Sequence, residues 1–121
     1  MADNTKLVDV KDLGERGVTR VSTRHGHLAV GKVSGQPFAV SDRCRHLGAS
    51  LGQGKMTEDG CLQCPWHGAQ YDVTTGRMTR GPQGKLFRPV RQMVCSFANT
   101  FARLKRYPVV ERGEEIHLVE P

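Results

Sequence analysis

Two short runs place thiols and imidazoles where they could act together. Cys44-Arg-His46 and Cys64-Pro-Trp-His67 are separated by residues 47–63. Within each run the Cys and His are close enough for one loop to aim both at a single point, and two such loops supply four ligands. Two thiolates and two imidazoles complete a tetrahedral Zn²⁺ site. They equally suit a [2Fe–2S] cluster, with both cysteines on one iron and both histidines on the other. The order of ligands bears on the choice. A zinc finger usually groups its cysteines in one half and its histidines in the other, whereas here each half mixes the two, so each loop would bridge both irons. On the residues alone both metals stay open.

Other cysteines and histidines have blander readings. Cys61-Leu-Gln-Cys64 is a C-x₂-C pair, which can mean zinc or redox chemistry. With Cys64 taken as a ligand, Cys61 is expected to be a buried strand thiol. Cys95 is expected to pack inertly, without a nearby partner. His25 and His27 are expected to sit exposed in a turn, and His117 at the surface of a strand.

The elements that must position the two runs read mostly as short strands. Lys6–Val10 suits an edge strand. Val18–Thr23, Leu28–Val33 and Gln36–Ser41 form a meander around turns at 24–27 and Ser34-Gly35, with Pro37 favouring an edge. Residues 42–54 are loop-like. Short strands are expected near 55–57, 60–63, 71–73 and 77–79, the last two joined by a turn at Thr74-Thr75-Gly76. A final hairpin over 105–110 and 116–119 turns at Gly113. One segment breaks the pattern: Val90, Met93, Val94, Phe97, Phe101 and Leu104 recur every three or four residues. With Pro89 placed where a helix can start, residues 89–104 read as one amphipathic helix whose apolar face packs on the sheet. A partner contact through Phe97 and Phe101 is the alternative.

At 121 residues the chain suits one domain over 1–121. It shows neither a membrane-spanning apolar run nor a secretory leader. The expectation is therefore a cytoplasmic protein whose cysteines bind metal rather than pair as disulfides. Eighteen basic and 12 acidic residues leave a formal charge of +6. The basic residues are scattered, aromatics are few and no nucleic-acid motif appears, so nucleic acid is not an expected partner. A basic face for an acidic protein partner is one reading of the charge; a solvated basic surface serves equally well.

Cys44-Arg-His-Leu-Gly48 and Cys64-Pro-Trp-His-Gly68 resemble the two cluster-binding boxes of Rieske proteins. The likeness continues through Tyr71-Asp72, Thr75-Gly76 and Gly81-Pro82, and covers roughly residues 5–84 and 104–119. It implies an all-β Rieske iron–sulfur fold of stacked antiparallel sheets, with a cluster-binding subdomain at about 42–84 and the 89–104 helix as an insertion. It implies one [2Fe–2S] cluster per chain, with Cys44 and Cys64 on the buried iron and His46 and His67 on the outer one. Gly48 and Gly68 would let backbone amides approach the cluster, Tyr71 holds the position of a hydroxyl donor, and Pro82 lies in a third, shielding loop. Trp66 would either cover the cluster or meet a partner.

Departures from the respiratory branch refine the reading. That branch joins its boxes by a disulfide, but the matching positions here are Ala49 and Trp66; it also has a serine donor where this chain has Ala69. The pattern is similar to the soluble ferredoxins of bacterial multicomponent oxygenases. The function this implies is one-electron carriage from a flavin-dependent reductase to a terminal oxygenase, without an enzyme activity of its own. The potential should lie near the low end of the Rieske range of about −150 to +300 mV. A fixed subunit of a larger oxidoreductase and a zinc-bound structural module are the rival readings.

Overall fold

The structure, a computed structural model, describes residues 3–43, 49–66, 68–81, 83, 88–101 and 103–120. These form ten strands and one α-helix in the order β1 (Asp3–Asp9), β2 (Val18–Thr23), β3 (Gly26–Val33), β4 (Gln36–Ser41), β5 (Lys55–Met56), β6 (Leu62–Gln63), β7 (Gln70–Tyr71), β8 (Met78–Arg80), α1 (Arg91–Phe101), β9 (Val109–Arg112) and β10 (Glu115–Glu120). The strands make three antiparallel sheets: β1-β10-β9, β2-β3-β4 and β5-β6-β7-β8.

The β2-β3-β4 sheet is the middle layer, because its strand alternation feeds two cores. Side chains of successive residues leave opposite faces of a strand. Leu28 and Val30 of β3, with Ala39 of β4, pack with Leu13 and Ile116 toward the β1-β10-β9 sheet. Ala29, Phe38 and Val40 face the other way and join Leu51, Leu62, Tyr71 and Met78 in the core that underlies the β5–β8 sheet. Two-sided coverage explains why Leu28–Gly31 is continuously buried rather than alternating. The β3–β4 turn has Ser34 at φ +50° and Gly35 at φ +79°, the pair of positive φ values that lets a two-residue turn match strand twist.

Sequence pattern located β2 and β4 at their observed bounds and put β1 and β4 correctly at sheet edges. The last hairpin differs. Residues 105–107 do not belong to β9; they run beside β4, where Ser41 N–H donates to Lys105 O at 2.8 Å and Tyr107 N–H to Ala39 O at 2.9 Å. Pro108 has no N–H to continue that pairing, and the chain crosses there to β10, with Val119 N–H donating to Pro108 O at 3.0 Å.

The helix is present but shorter than the periodicity suggested, and it is rotated. A 3₁₀ turn at Arg88–Val90 leads into α1, and Leu104 is buried beyond its end. Val94 is half-buried as expected, but Met93 is 70% and Phe97 59% exposed. Asn99 and Cys95, which lie outside that apolar period, face the sheet instead. The Asn99 side chain accepts from Met78 N–H at 2.6 Å and donates to Met78 O at 3.0 Å. Cys95, expected to lack a partner, directs its Sγ to the same oxygen at 3.1 Å. The cause is β8, the edge strand of its sheet. Its outward backbone groups need polar partners where the helix covers them, and an amide that both donates and accepts meets that need better than an apolar side chain. Gly81 allows the close approach: a Cβ there would lie 2.8 Å from Arg91 O.

Candidate metal centre

The second Cys–His run sits in a loop whose ends are already held together. β6 and β7 are paired neighbours, with Leu62 opposite Tyr71 and Gln63 opposite Gln70. The loop between them continues the pairing, as Cys64 N–H donates to Ala69 O at 2.8 Å and Gly68 N–H to Cys64 O at 3.2 Å. Gly68 has φ +73°, a conformation that costs an L-residue about 1–2 kcal/mol. Arg80, at the end of β8, donates from Nη2 to Gly68 O at 3.1 Å and so ties the loop to its sheet. Cys64 itself is 1% exposed, among the residues of the main core.

The first run hangs from a different support. Arg43 and Ser50 form an isolated antiparallel bridge at the neck of the loop. Beside it lies Asp42, the buried charged residue among those described, at 6% exposure. Its carboxylate accepts from Gly52 N–H at 2.6 Å and Ser50 Oγ at 2.7 Å, and pairs with Arg20 Nε at 3.3 Å. Its carbonyl accepts from Leu51 N–H at 2.7 Å. Sequence reasoning missed Asp42. Its partners lie eight and ten residues on, and no local spacing rule marks such a residue.

A cleft of about 650 Å³ opens beside the second loop; its lining includes Cys64, Trp66, Gly68, Arg80 and Gln83. Trp66 is 61% exposed. Tyr71 is fully buried. Of the predicted site residues, Cys64, Trp66, Gly68 and Tyr71 are thus placed in or beside one loop. Cys44, His46, Gly48, His67 and Pro82 lie outside the described residues.

The remaining cysteines and histidines do not assemble a competing centre. Among the described residues no three His, Cys, Asp or Glu side chains converge as metal ligands. Among the described residues, Cys61, Cys64 and Cys95 form no disulfide. Cys61 is half-buried just before β6, rather than a buried strand residue, and receives the Thr79 hydroxyl at 3.7 Å. His25 and His27 are exposed as expected, but of the two His25 lies in the turn, while His27 belongs to β3, opposite Ser22. His117 is half-buried instead of superficial, with Nε2 3.1 Å from Glu115 Oε1, because β1 and β9 flank β10 on both sides.

The match to a known family is decisive. The Rieske [2Fe–2S] domain family matches residues 3–107. The chain belongs to that family. Pheophorbide a oxygenase of Oryza sativa subsp. japonica is 48% identical over 63 residues, 52% of this chain and 12% of the relative. The 3-phenylpropionate/cinnamic acid dioxygenase ferredoxin subunit of Escherichia coli K12 is 34% identical over 68 residues, 56% of this chain and 63% of the relative. The chain thus spans less than two thirds of these curated relatives. Among solved structures, Pseudomonas putida CBB5 NdmA with caffeine superposes at TM-score 0.74 and 26% identity, over 98% of this chain and 33% of that one. The Sphingomonas yanoikuyae B1 ferredoxin superposes at TM-score 0.69 and 24% identity, over 98% of this chain and all of that one. The fold is therefore the mostly-β Rieske fold with one short helix.

A [2Fe–2S] cluster is the cofactor this family implies, and the described part of the site fits it. Cys64 is a buried thiol on a cleft wall, at the base of a tight glycine-bearing loop. The two positions where respiratory relatives would carry a bridging cysteine and a serine donor are here Ala49 and Ala69, both packed in the apolar core.

Proposed function

We propose that this chain is a one-electron carrier, accepting electrons from a flavin-dependent reductase and delivering them to a terminal oxygenase in the cytoplasm. It would act as one domain over residues 1–121, with the cluster-binding part at about 42–84. The carrying observation is the match to the Rieske [2Fe–2S] domain family, on a chain whose second box places a buried thiol beside an exposed tryptophan. The ferredoxin subunit of a dioxygenase among the relatives supports carriage to an oxygenase.

When bound, a [2Fe–2S] cluster supplies reversible one-electron chemistry. The chain's part is to hold and insulate it. Cys44, His46, Cys64 and His67 would be the ligands, two from each loop. Burial of Cys64 keeps solvent from the inner side. The histidines would face outward and carry the redox-linked proton on their free ring nitrogens, since added negative charge raises the pKa of a neighbouring imidazole.

The test is iron and acid-labile sulfide analysis of anaerobically purified protein, followed by protein-film voltammetry across pH. The expected result is a reversible wave near the low end of the Rieske range, with a potential that falls as pH rises above the oxidised-state histidine pKa. Zinc in place of iron, with no wave, would sink the proposal.

A further inference from the structure

Among the described residues, the charged side chains that line the cleft beside Cys64 are all of one sign. Arg16, Lys55 and Arg80 line it and are exposed, and its described lining contains no aspartate or glutamate. Two of these cations are anchored to backbone rather than to acids: Arg16 Nη1 donates to Gly54 O at 3.2 Å and Arg80 Nη2 to Gly68 O at 3.1 Å. A carbonyl partner fixes the direction of a guanidinium without neutralising it.

The opposite arrangement holds on the β1-β10-β9 sheet. There Lys6 pairs with Asp9 and Glu115, and Lys32 reaches Glu111 at 2.6 Å. A second cleft on that sheet is lined by Asp9, Glu114 and Glu115 along with Lys11 and Arg112. Glu58 and Asp59 lie in the β5–β6 turn, at the far end of that hairpin from Gly54 and Cys64. Among the described residues, the cleft at the second box is thus bordered by positive side chains with no acid among them, and Trp66 offers an exposed apolar anchor there.

We propose that this cleft is a docking face for a protein electron-transfer partner whose own docking surface is acidic. The inference rests on the electron-carrier reading and adds the sign and place of the contact. Clefts lined by one sign of charge concentrate the opposite sign and speed encounter. A bare aromatic among charged neighbours is the usual anchor of such a contact. Three cations around one cleft do not form the extended stripe that tracks a phosphate backbone, which favours a protein over nucleic acid.

The test uses the cluster-loaded chain and two outer-sphere oxidants of opposite charge, hexacyanoferrate(III) and hexaammineruthenium(III). The expected result is a preference for the anion that fades with added salt. The Lys55→Glu and Arg16→Glu,Lys55→Glu variants should lose roughly tenfold of that preference at low ionic strength. Lys11→Glu,Arg112→Glu changes net charge as much as the double cleft variant, but on the far sheet, and should leave the preference nearly intact. A second readout needs no electron transfer. Trp66 is the single tryptophan of the chain, so its quenching by iodide against caesium reports the local field and should shift with the same variants. Equal effects of cleft and far-sheet variants, or no preference for anions, would overturn the inference. Retention of duplex DNA at physiological salt, lost in the cleft variants, would also overturn it and give the face to nucleic acid. If the chain holds no reducible centre, the electron-carrier reading fails, while the quenching experiment still decides the charge of the face.

Discussion

The loop over residues 43–50 closes on an isolated backbone bridge reinforced by a buried side chain, whereas the loop over residues 64–69 closes on a strand ladder. In the second, β6 and β7 are already a ladder, so the loop ends meet at hydrogen-bond distance and two main-chain bonds suffice. The first joins β4 to a 3₁₀ turn at Leu51–Gln53, and among the described residues its ends are aligned by the isolated Arg43–Ser50 bridge and the Leu51 N–H bond to Asp42 O at 2.7 Å. Asp42 does there what a neighbouring strand does for the other, with one carboxylate gathering Gly52 N–H, Ser50 Oγ and Arg20 Nε. Two halves of one proposed centre are thus held by unlike means. Backbone closure tolerates most side chains but depends on glycine; side-chain closure depends on one residue and fails when it is replaced.

The largest expected effect treats the halves as equal. Cys64→Ala and His46→Ala should each abolish the native visible spectrum and the bound iron, because in the proposed centre each loop would contribute one ligand to each iron. A variant retaining the full spectrum would break the pairing of the two loops.

The next effect separates them. Asp42→Ala removes the carboxylate from a buried neck and leaves Gly52 N–H without its acceptor. The expected loss is about 3 kcal/mol in urea unfolding, with iron retention falling in parallel. Asp42→Asn keeps one acceptor oxygen and should lose about half as much. Gly68→Ala probes the other loop. It forces alanine to φ +73°, with a Cβ 3.2 Å from Arg80 Nη2, at a cost of about 1–2 kcal/mol. If Gly68→Ala proves costlier than Asp42→Ala, the ranking of the two closures is reversed.

What the sequence revealed follows the range over which its signals act. The Cys–His runs, the Ser34-Gly35 turn and the bounds of β2 and β4 are local, so residue type and spacing were enough. The helix was visible through its apolar period, but that period could not orient it. α1 turns Asn99 inward because Met78, 21 residues earlier, is an edge-strand residue needing both a donor and an acceptor. The same limit hid Asp42 and Arg80, whose roles depend on backbone groups that the fold, not the local sequence, brings alongside. The cleft's positive rim was hidden too, since Arg16, Lys55 and Arg80 come from three separate stretches of chain.

The smallest effect tests whether carboxylate closure owes its strength to burial. Asp72 performs a similar act in a more open turn: Oδ1 accepts from Thr74 N–H at 2.8 Å and Thr74 Oγ1 at 2.6 Å, and its carbonyl accepts from Gly76 N–H at 2.7 Å. The Thr74 hydroxyl, helped by the Thr74 and Thr75 amides and by the Arg106 charge, holds the Asp72 carboxyl below the usual carboxylate range. A carboxyl whose pKa is lower folded than unfolded adds stability that is complete above its unfolded value and is lost as pH falls through the folded one. Asp72 should therefore contribute above about pH 4 and progressively less below it. Solvent screens this turn, so Asp72→Asn should cost under about 1 kcal/mol at neutral pH and flatten the acid limb of the unfolding profile. A neutral-pH loss as large as that of Asp42→Ala would show that closure by a carboxylate is worth the same wherever it occurs, and that burial at the first loop's neck adds nothing to its hold.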